Sequence, residues 1–262
     1  MRFLKGFLIN LQFFTAIPIT LEISMEKENL KRSVQTFPLL GLFQGCIYAL
    51  LFYVCMEFTP FSHLAVAFFL WLATIILTGG IHLDGWMDAS DAYFSYQDQA
   101  KRLEIMKDPR TGAFGVISLF ILLSSRFLFI YEITLDEQWL TFVYIATIPF
   151  LSKTVMGVLL LTVKSAHNKG LGALFQSATT LKGLWIYPLY GAGYFLLVGI
   201  WTQTILPIGL LFLGAAGCFI YCCQKSMKWF GGITGDILGA SVEGTELILW
   251  MTVWLLHYFV MA

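Results

Sequence analysis

Charge is what this chain has least of. Asp, Glu, Lys and Arg make up 12% of its 262 residues against 58% hydrophobic, a balance that argues against a soluble domain and for a polytopic membrane protein. A surplus of either sign is also missing: 16 Lys and Arg offset 16 Asp and Glu, so no basic surface is on offer and no nucleic-acid partner is expected. The five cysteines, Cys46, Cys55, Cys218, Cys222 and Cys223, lie within or at the ends of apolar runs. They lack the paired C-x-x-C spacing of a zinc site and read as small packing residues. No internal repeat, low-complexity tract or long linker interrupts the chain, which predicts one integral membrane domain over residues 1–262. The start has no small-residue cleavage site. Arg2 and Lys5 flank an amphipathic stretch from Phe3 to Phe14 that reads as an interfacial helix, not a cleavable signal.

The expected fold is all-α: a polytopic membrane helical bundle of about seven transmembrane helices plus the N-terminal interfacial helix. The apolar runs place the spans at 38–57, 63–81, 113–131, 139–163, 184–202, 204–223 and 243–262. Pro149 is expected to kink the fourth, and the tight join at Gln203 makes a hairpin of the fifth and sixth. Sidedness follows from Lys and Arg, which cytoplasmic loops retain. Arg126 and Lys153 fall inside spans, and every other Lys and Arg falls on one side, whereas the opposite loops carry Glu132, Asp136 and Glu137. The expectation is a multi-pass protein of the cell membrane, in contact with the lipid bilayer, with the N-terminus cytoplasmic. Cytoplasmic loops 82–112, 164–183 and 224–242 would form the active site.

Chemistry concentrates at two places. In Ile81-His-Leu-Asp-Gly-Trp-Met-Asp-Ala-Ser-Asp91, Asp84, Asp88 and Asp91 stand at i, i+4 and i+7, one face of a helix. Converging carboxylates repel unless a cation neutralises them, so the spacing suggests a divalent metal. Downstream, in Met106-Lys-Asp-Pro-Arg-Thr-Gly-Ala-Phe-Gly115, Lys107 and Arg110 could bind phosphate oxygens while Gly112 and Gly115 let backbone amides approach. The competing reading is a set of ordinary solvated loop charges. The second place, Gly231 to Glu246, sets Asp236, Glu243 and Glu246 on one face, with Gly232, Gly235 and Gly239 leaving room for a ligand against the backbone and Gly232, Thr234 and Gly235 as candidates to bind it. An acid-rich helix start, favourable to the helix dipole, is the plainer account. Lys153 either reaches an anionic substrate or forms a structural ion pair, as does Arg126, and His82 is either a ligand or base or a packed histidine.

These motifs carry a resemblance. His82-Leu-Asp-Gly with Asp88 and Asp91, the Met106 to Gly115 run, Gly231-Gly-x-Thr-Gly-Asp-x-Leu-Gly-Ala240, Phe14-Thr-Ala-Ile-Pro18 and Phe37-Pro-Leu-Leu-Gly41 together resemble the cobalamin synthase family, the adenosylcobinamide-GDP ribazoletransferases, over essentially the whole chain. Two departures stand out. Ala166-His-Asn-Lys-Gly-Leu-Gly172 replaces a pattern like Ala-Arg-Pro-Glu-Gly-Leu-Gly, and Pro109 replaces a more usual serine. The resemblance implies that α-ribazole, or its 5′-phosphate, attacks adenosylcobinamide-GDP to give adenosylcobalamin, or its 5′-phosphate, and GMP. It further implies Mg²⁺ as cofactor and association with other cobalamin-pathway enzymes as an expectation. On this reading Asp84 and Asp88 hold Mg²⁺, and Asp91 completes the site or takes the hydroxyl proton. Asp236, Glu243 and Glu246 hold a second metal or orient the nucleophile, Lys107 and Arg110 grip phosphate, and His82 and Lys153 assist catalysis. The rivals are a CDP-alcohol phosphotransferase, whose pattern would need an arginine shortly after Asp84-Gly85, and a cation-coupled transporter, whose acids would lie near the bilayer midplane.

Overall fold

The computed structural model describes residues 2–135, 139–167, 170–203 and 205–259. Asp136, Glu137, Lys169, Thr204 and the chain end at Ala262, all used in the sequence reading, lie outside the described residues. The described chain is helical throughout, with twelve α-helices and a single isolated β-bridge.

α1 (Arg2–Phe14) lies against α2 (Lys27–Gln35). The buried Asn10 amide joins them, donating to the Ser33 carbonyl and the Thr36 hydroxyl, both at 2.9 Å. α3 (Phe37–Phe58) follows with Pro38 in its first turn, where a missing N–H costs nothing. α4 (His63–Ile76) is capped by the Ser62 hydroxyl, α5 spans Ile81–Phe94, and α6 (Gln99–Ile105) is capped by Asp98. Then come α7 (Ala113–Thr134), α8 (Leu140–Thr162) and the short α9 (Leu171–Ser177). A 3₁₀ turn at Leu181–Trp185 leads into α10 (Ile186–Thr202), followed by α11 (Ile205–Phe230) and α12 (Gly235–Phe259).

The bundle is built around α8 and α12. α8 is buried along most of its length and packs against α3, α11 and α12, while α12 packs against α5, α7, α8 and α11. The outer helices show lipid-compatible side chains instead: Leu50, Phe120, Leu197 and Leu213 are exposed. α10 ends at Gln203 in the left-handed conformation (φ 56°) and α11 begins at Ile205, as the hairpin reading requires.

The all-α polytopic architecture stands, but the count of spans differs. Among the described residues, five helical segments are long and apolar enough to cross a membrane: α3, α7, α8, Leu181–Thr202 and α11. A sixth is reached if α4 and α5 count as one bent span. The second expected span, 63–81, stops at Ile76, because Gly79 and Gly80 take positive φ (62° and 76°) and turn α5 by 80° from α4. The 14 residues of α4 reach only about 21 Å, short of a bilayer core. The seventh expected span, 243–262, belongs to α12, which begins at Gly235 and holds Asp236, Glu243 and Glu246. Much of this helix is buried against α5, α7, α8 and α11, which is where its acids find room in an otherwise apolar bundle. The segment 82–112 is likewise not a loop throughout: α5 and α6 occupy most of it.

Candidate active site at the crossing of two helix starts

The bend at Gly79 and Gly80 swings α5 across the beginning of α12. Their backbones nearly touch: a Cβ on Gly85 would fall 2.6 Å from the Asp236 carbonyl oxygen, and one on Gly239 would fall 3.2 Å from the Cα of His82. Small residues at such a crossing let two helices approach to backbone contact. α5 buries His82, Leu83, Gly85 and Ala92, which leaves Asp84 exposed and Asp88 half-buried along its edge. Thr234 caps α12 by accepting from the Ile237 amide (3.2 Å), and the next turn delivers Asp236 beside α5.

The carboxylates feel one another. Burial, then the charges of Asp84, Asp236 and Asp91, push the Asp88 carboxyl up to about 6, and burial raises Asp236 as well. Neither Asp84, Asp88 nor Asp236 has a salt bridge among the described residues. No three His, Cys, Asp or Glu side chains among those residues form a ready-made metal cage. Mg²⁺ does not need one, because it binds through one or two carboxylates and keeps water or substrate phosphate for its other positions. Asp84 and Asp236, which line one cavity and have no salt bridge among the described residues, fit that pattern.

The cavity has a volume of about 400 Å³. Its polar lining is His82, Asp84, Lys107, His167, Thr234 and Asp236, with Gly235 at the start of α12. Its apolar lining includes Phe14, Phe37 and Phe175, drawn from α1, α3 and α9. Two backbone hydrogen bonds hold the His167 loop beside α12: Ile233 N–H donates to Lys164 O and Ala166 N–H to Ile233 O, each at 2.9 Å. Sequence reasoning did not single out His167. Its only signal was the departure at 166–172, where a histidine stands in an otherwise small and glycine-rich run. Its Nε2 is buried without a hydrogen-bond partner, and burial followed by Lys107 lowers its pKa.

Several expected site residues are placed elsewhere. Asp91 spends both carboxylate oxygens on the start of α7, accepting from the Gly112 amide (2.7 Å) and the Gly115 amide (2.8 Å). A Cβ on either glycine would collide with that carboxylate. The anion these amides approach in this arrangement is therefore Asp91 itself, and neither Asp91 nor Gly112 lines the cavity that holds Asp84 and Asp236. Arg110 is exposed and bonded to Asp108 (2.6 and 2.9 Å), holding the Asp108 carboxyl down at about 2; only Lys107 of that pair lines the cavity. Gly232 is pressed against the Lys164 carbonyl and does not reach the cavity wall, whereas Thr234 and Gly235 do.

Glu243, Glu246 and Lys153 also leave the site. Glu243 pairs with Arg126 in full burial. Glu246 lies 3.5 Å from the Lys153 ammonium and accepts from the Ser152 hydroxyl at 2.9 Å. Lys153 is 0% exposed, so it reaches an acid of its own protein, not a substrate. Both ion pairs obey the rule that charge inside a membrane bundle faces inward and finds a partner. His82 lies in the cavity wall, stacked on Phe14 with ring centroids 5.9 Å apart.

No solved structure matches this chain. Among curated relatives it is 39% identical to the adenosylcobinamide-GDP ribazoletransferase of Geobacillus sp. (strain WCH70), covering 98% of both chains. It is 40% identical to the protein of that name from Geobacillus thermodenitrificans (strain NG80-2), over 97% of this chain and 96% of the relative. Against that from Clostridioides difficile (strain 630) the identity is 33%, over 97% and 99%. The cobalamin-5-phosphate synthase profile matches residues 6–254, and with relatives of this identity along nearly its whole length the chain belongs to that family.

Proposed function

We propose that this chain joins adenosylcobinamide-GDP to α-ribazole, or α-ribazole 5′-phosphate, and releases GMP, the step that completes the nucleotide loop of cobalamin. The ribose hydroxyl forms a new bond to the corrinoid-side phosphorus, the bridging P–O bond breaks, and the hydroxyl proton leaves to a base. The observation that carries this reading is the placement of Asp84 and Asp236, from two helix starts, in one cavity with Lys107.

Asp84 and Asp236 would hold Mg²⁺, with Asp88 behind them. The ion, when bound with the diphosphate, supplies charge neutralisation for the departing GMP. Lys107 binds phosphate oxygens, and the α12 start offers amides of the right polarity for an anion. His167, whose pKa burial and Lys107 lower, lines the cavity with its Nε2 unpaired and is the candidate to take the hydroxyl proton. The partition of Lys and Arg supports a cell-membrane protein whose N-terminus and site face the cytoplasm. A transporter reading loses ground because the deep acids, Glu243 and Glu246, are already paired.

The test is direct. Purified protein in detergent, given Mg²⁺, adenosylcobinamide-GDP and α-ribazole 5′-phosphate, should yield GMP and the corrinoid phosphate in equal amounts and lose both on chelation. GMP without the corrinoid product, or product formation undiminished by chelator, would overturn it.

A further inference from the structure

We propose that the end of α11 carries a binding site for the phosphate of one anionic phospholipid, formed by Lys225 and Arg102 around the rings of Trp229 and Tyr93. None of these residues lines the cavity that holds Asp84 and Asp236, so the inference goes beyond the transferase reading and does not depend on it.

Unspent positive charge is the first argument. Lys225 and Arg102 have no salt bridge among the described residues, whereas the neighbouring Lys101 is paired with Glu104 at 2.9 Å and Asp98 is occupied in capping α6. Each of the two lies over a ring instead. Lys225 Nζ stands 4.5 Å from the ring centre of Trp229 and 5.3 Å from that of Tyr221, and the Arg102 guanidinium stands 5.7 Å from that of Tyr93. The Tyr93 and Trp229 rings are themselves in contact, with centroids 4.1 Å apart, so one aromatic pair carries both cations. A ring attracts a cation through its quadrupole but has no net charge, which leaves both positive charges available to an anion.

An unmet donor is the second. Arg102 Nε is buried without a hydrogen-bond partner among the described residues, and a phosphate oxygen is the acceptor that a guanidinium and an ammonium share best. Position decides which phosphate. α11 is long and apolar enough to cross a membrane, and Leu213, Ile220 and Tyr221 are exposed along it. Tyr221, Lys225 and Trp229 follow one another at intervals of one turn, the aromatic and basic girdle of a helix leaving the hydrocarbon. A headgroup bound there would lay its acyl chains on the exposed face of α11; a soluble phosphate would leave that face unused. The place also adjoins the cavity. Gln99, at the start of α6, donates to the Lys228 carbonyl at 2.9 Å, and the Thr234 hydroxyl reaches the Met106 sulfur at 3.3 Å. The lipid phosphate would therefore lie where the two segments bearing Lys107 and Thr234 are fastened together.

Native mass spectrometry of the full-length protein in neutral detergent counts the lipid it retains. Offered phosphatidylglycerol and phosphatidylcholine at equal concentration, the wild type should hold a single phosphatidylglycerol about 20-fold more tightly than phosphatidylcholine. Lys225→Gln and Arg102→Gln should each reduce that preference about fivefold, and the double variant should abolish it. Lys31→Gln, on α2 and beside Glu28, should leave it unchanged. The thermal midpoint in lipid-free detergent checks that each variant is folded, and Arg102→Gln alone carries the test if Lys225→Gln does not fold. Equal retention of the two lipids by the wild type overturns the proposal, as does an undiminished preference in the folded variants. A loss as large in Lys31→Gln would mean diffuse attraction to the whole basic surface and overturns it too. Displacement of phosphatidylglycerol by millimolar inorganic phosphate would give the place to a soluble anion and reject the lipid.

Discussion

Helix α12 carries two sets of acids in opposite circumstances. Asp236, in its first turn, stands with Asp84 and Asp88 and has no salt bridge among the described residues. Glu243 and Glu246, two to three turns further on, are sealed against Arg126 and Lys153. Water is what separates them. At the open end of the helix, solvation tolerates clustered negative charge; inside the bundle no such solvation exists, so each acid must bring its own base. Acids on one helix thus stand in two states: without a salt bridge at the rim, and paired in the core, where they hold α12 against α7 and α8.

The largest effect should come from the rim. Asp84→Asn, nearly isosteric and exposed, is expected to lower GMP release about 10³-fold, roughly 4 kcal/mol of transition-state stabilisation, with no change in thermal midpoint. The core should answer the other way. Arg126→Met leaves Glu243 buried and unpaired and should cost about 3–5 kcal/mol in unfolding, whereas Arg126→Met with Glu243→Leu should recover most of that loss. Chemical denaturation in detergent reads both; a double variant as unstable as the single would erase the contrast.

Two smaller effects sharpen it. Lys107→Ala should raise KM about tenfold, roughly 1.4 kcal/mol, while Arg110→Ala, whose partner is Asp108, should stay within about twofold. Asp88 gives a pH signature. Its folded pKa of about 6 lies above the ordinary 3.8, so the group costs nothing below about pH 4, and the penalty builds between about pH 4 and 6 and is full above that. Metal-free Asp88→Asn should therefore be the more stable protein at pH 8, by on the order of 1 kcal/mol once solvent screening is allowed for, and indistinguishable from wild type at pH 4. Thermal unfolding at the two pH values checks this, and added Mg²⁺ should narrow the gap.

How legible the site was depended on distance along a helix. The i, i+4, i+7 spacing correctly set Asp84, Asp88 and Asp91 on a helix, since α5 runs from Ile81 to Phe94. It did not reveal that Asp91 lies beyond the crossing and caps α7 instead. The same-face argument for Asp236, Glu243 and Glu246 misled for a related reason: seven residues of helix are about 10 Å, so residues can share a face and still lie in different environments. The partners Arg126 and Lys153 were recognised as costly, but their pairing is tertiary. So is the aromatic wall, because nothing in the local sequence of Phe14, Phe37 or Phe175 states that α1, α3 and α9 meet. The broken second span had a visible sign in Gly79-Gly80, which the apolarity on either side concealed.

Gly85 has a consequence for how this site can change. Because α5 and α12 meet backbone to backbone there, the gap between Asp84 and Asp236 is set by two main chains and not by adjustable rotamers. The acidic side of the cavity is a fixed gauge. Variation in what the cavity accepts is left to its other walls, above all α1, His167 and the stretch from Gly170 to Phe175, where side chains can be exchanged without moving the carboxylates.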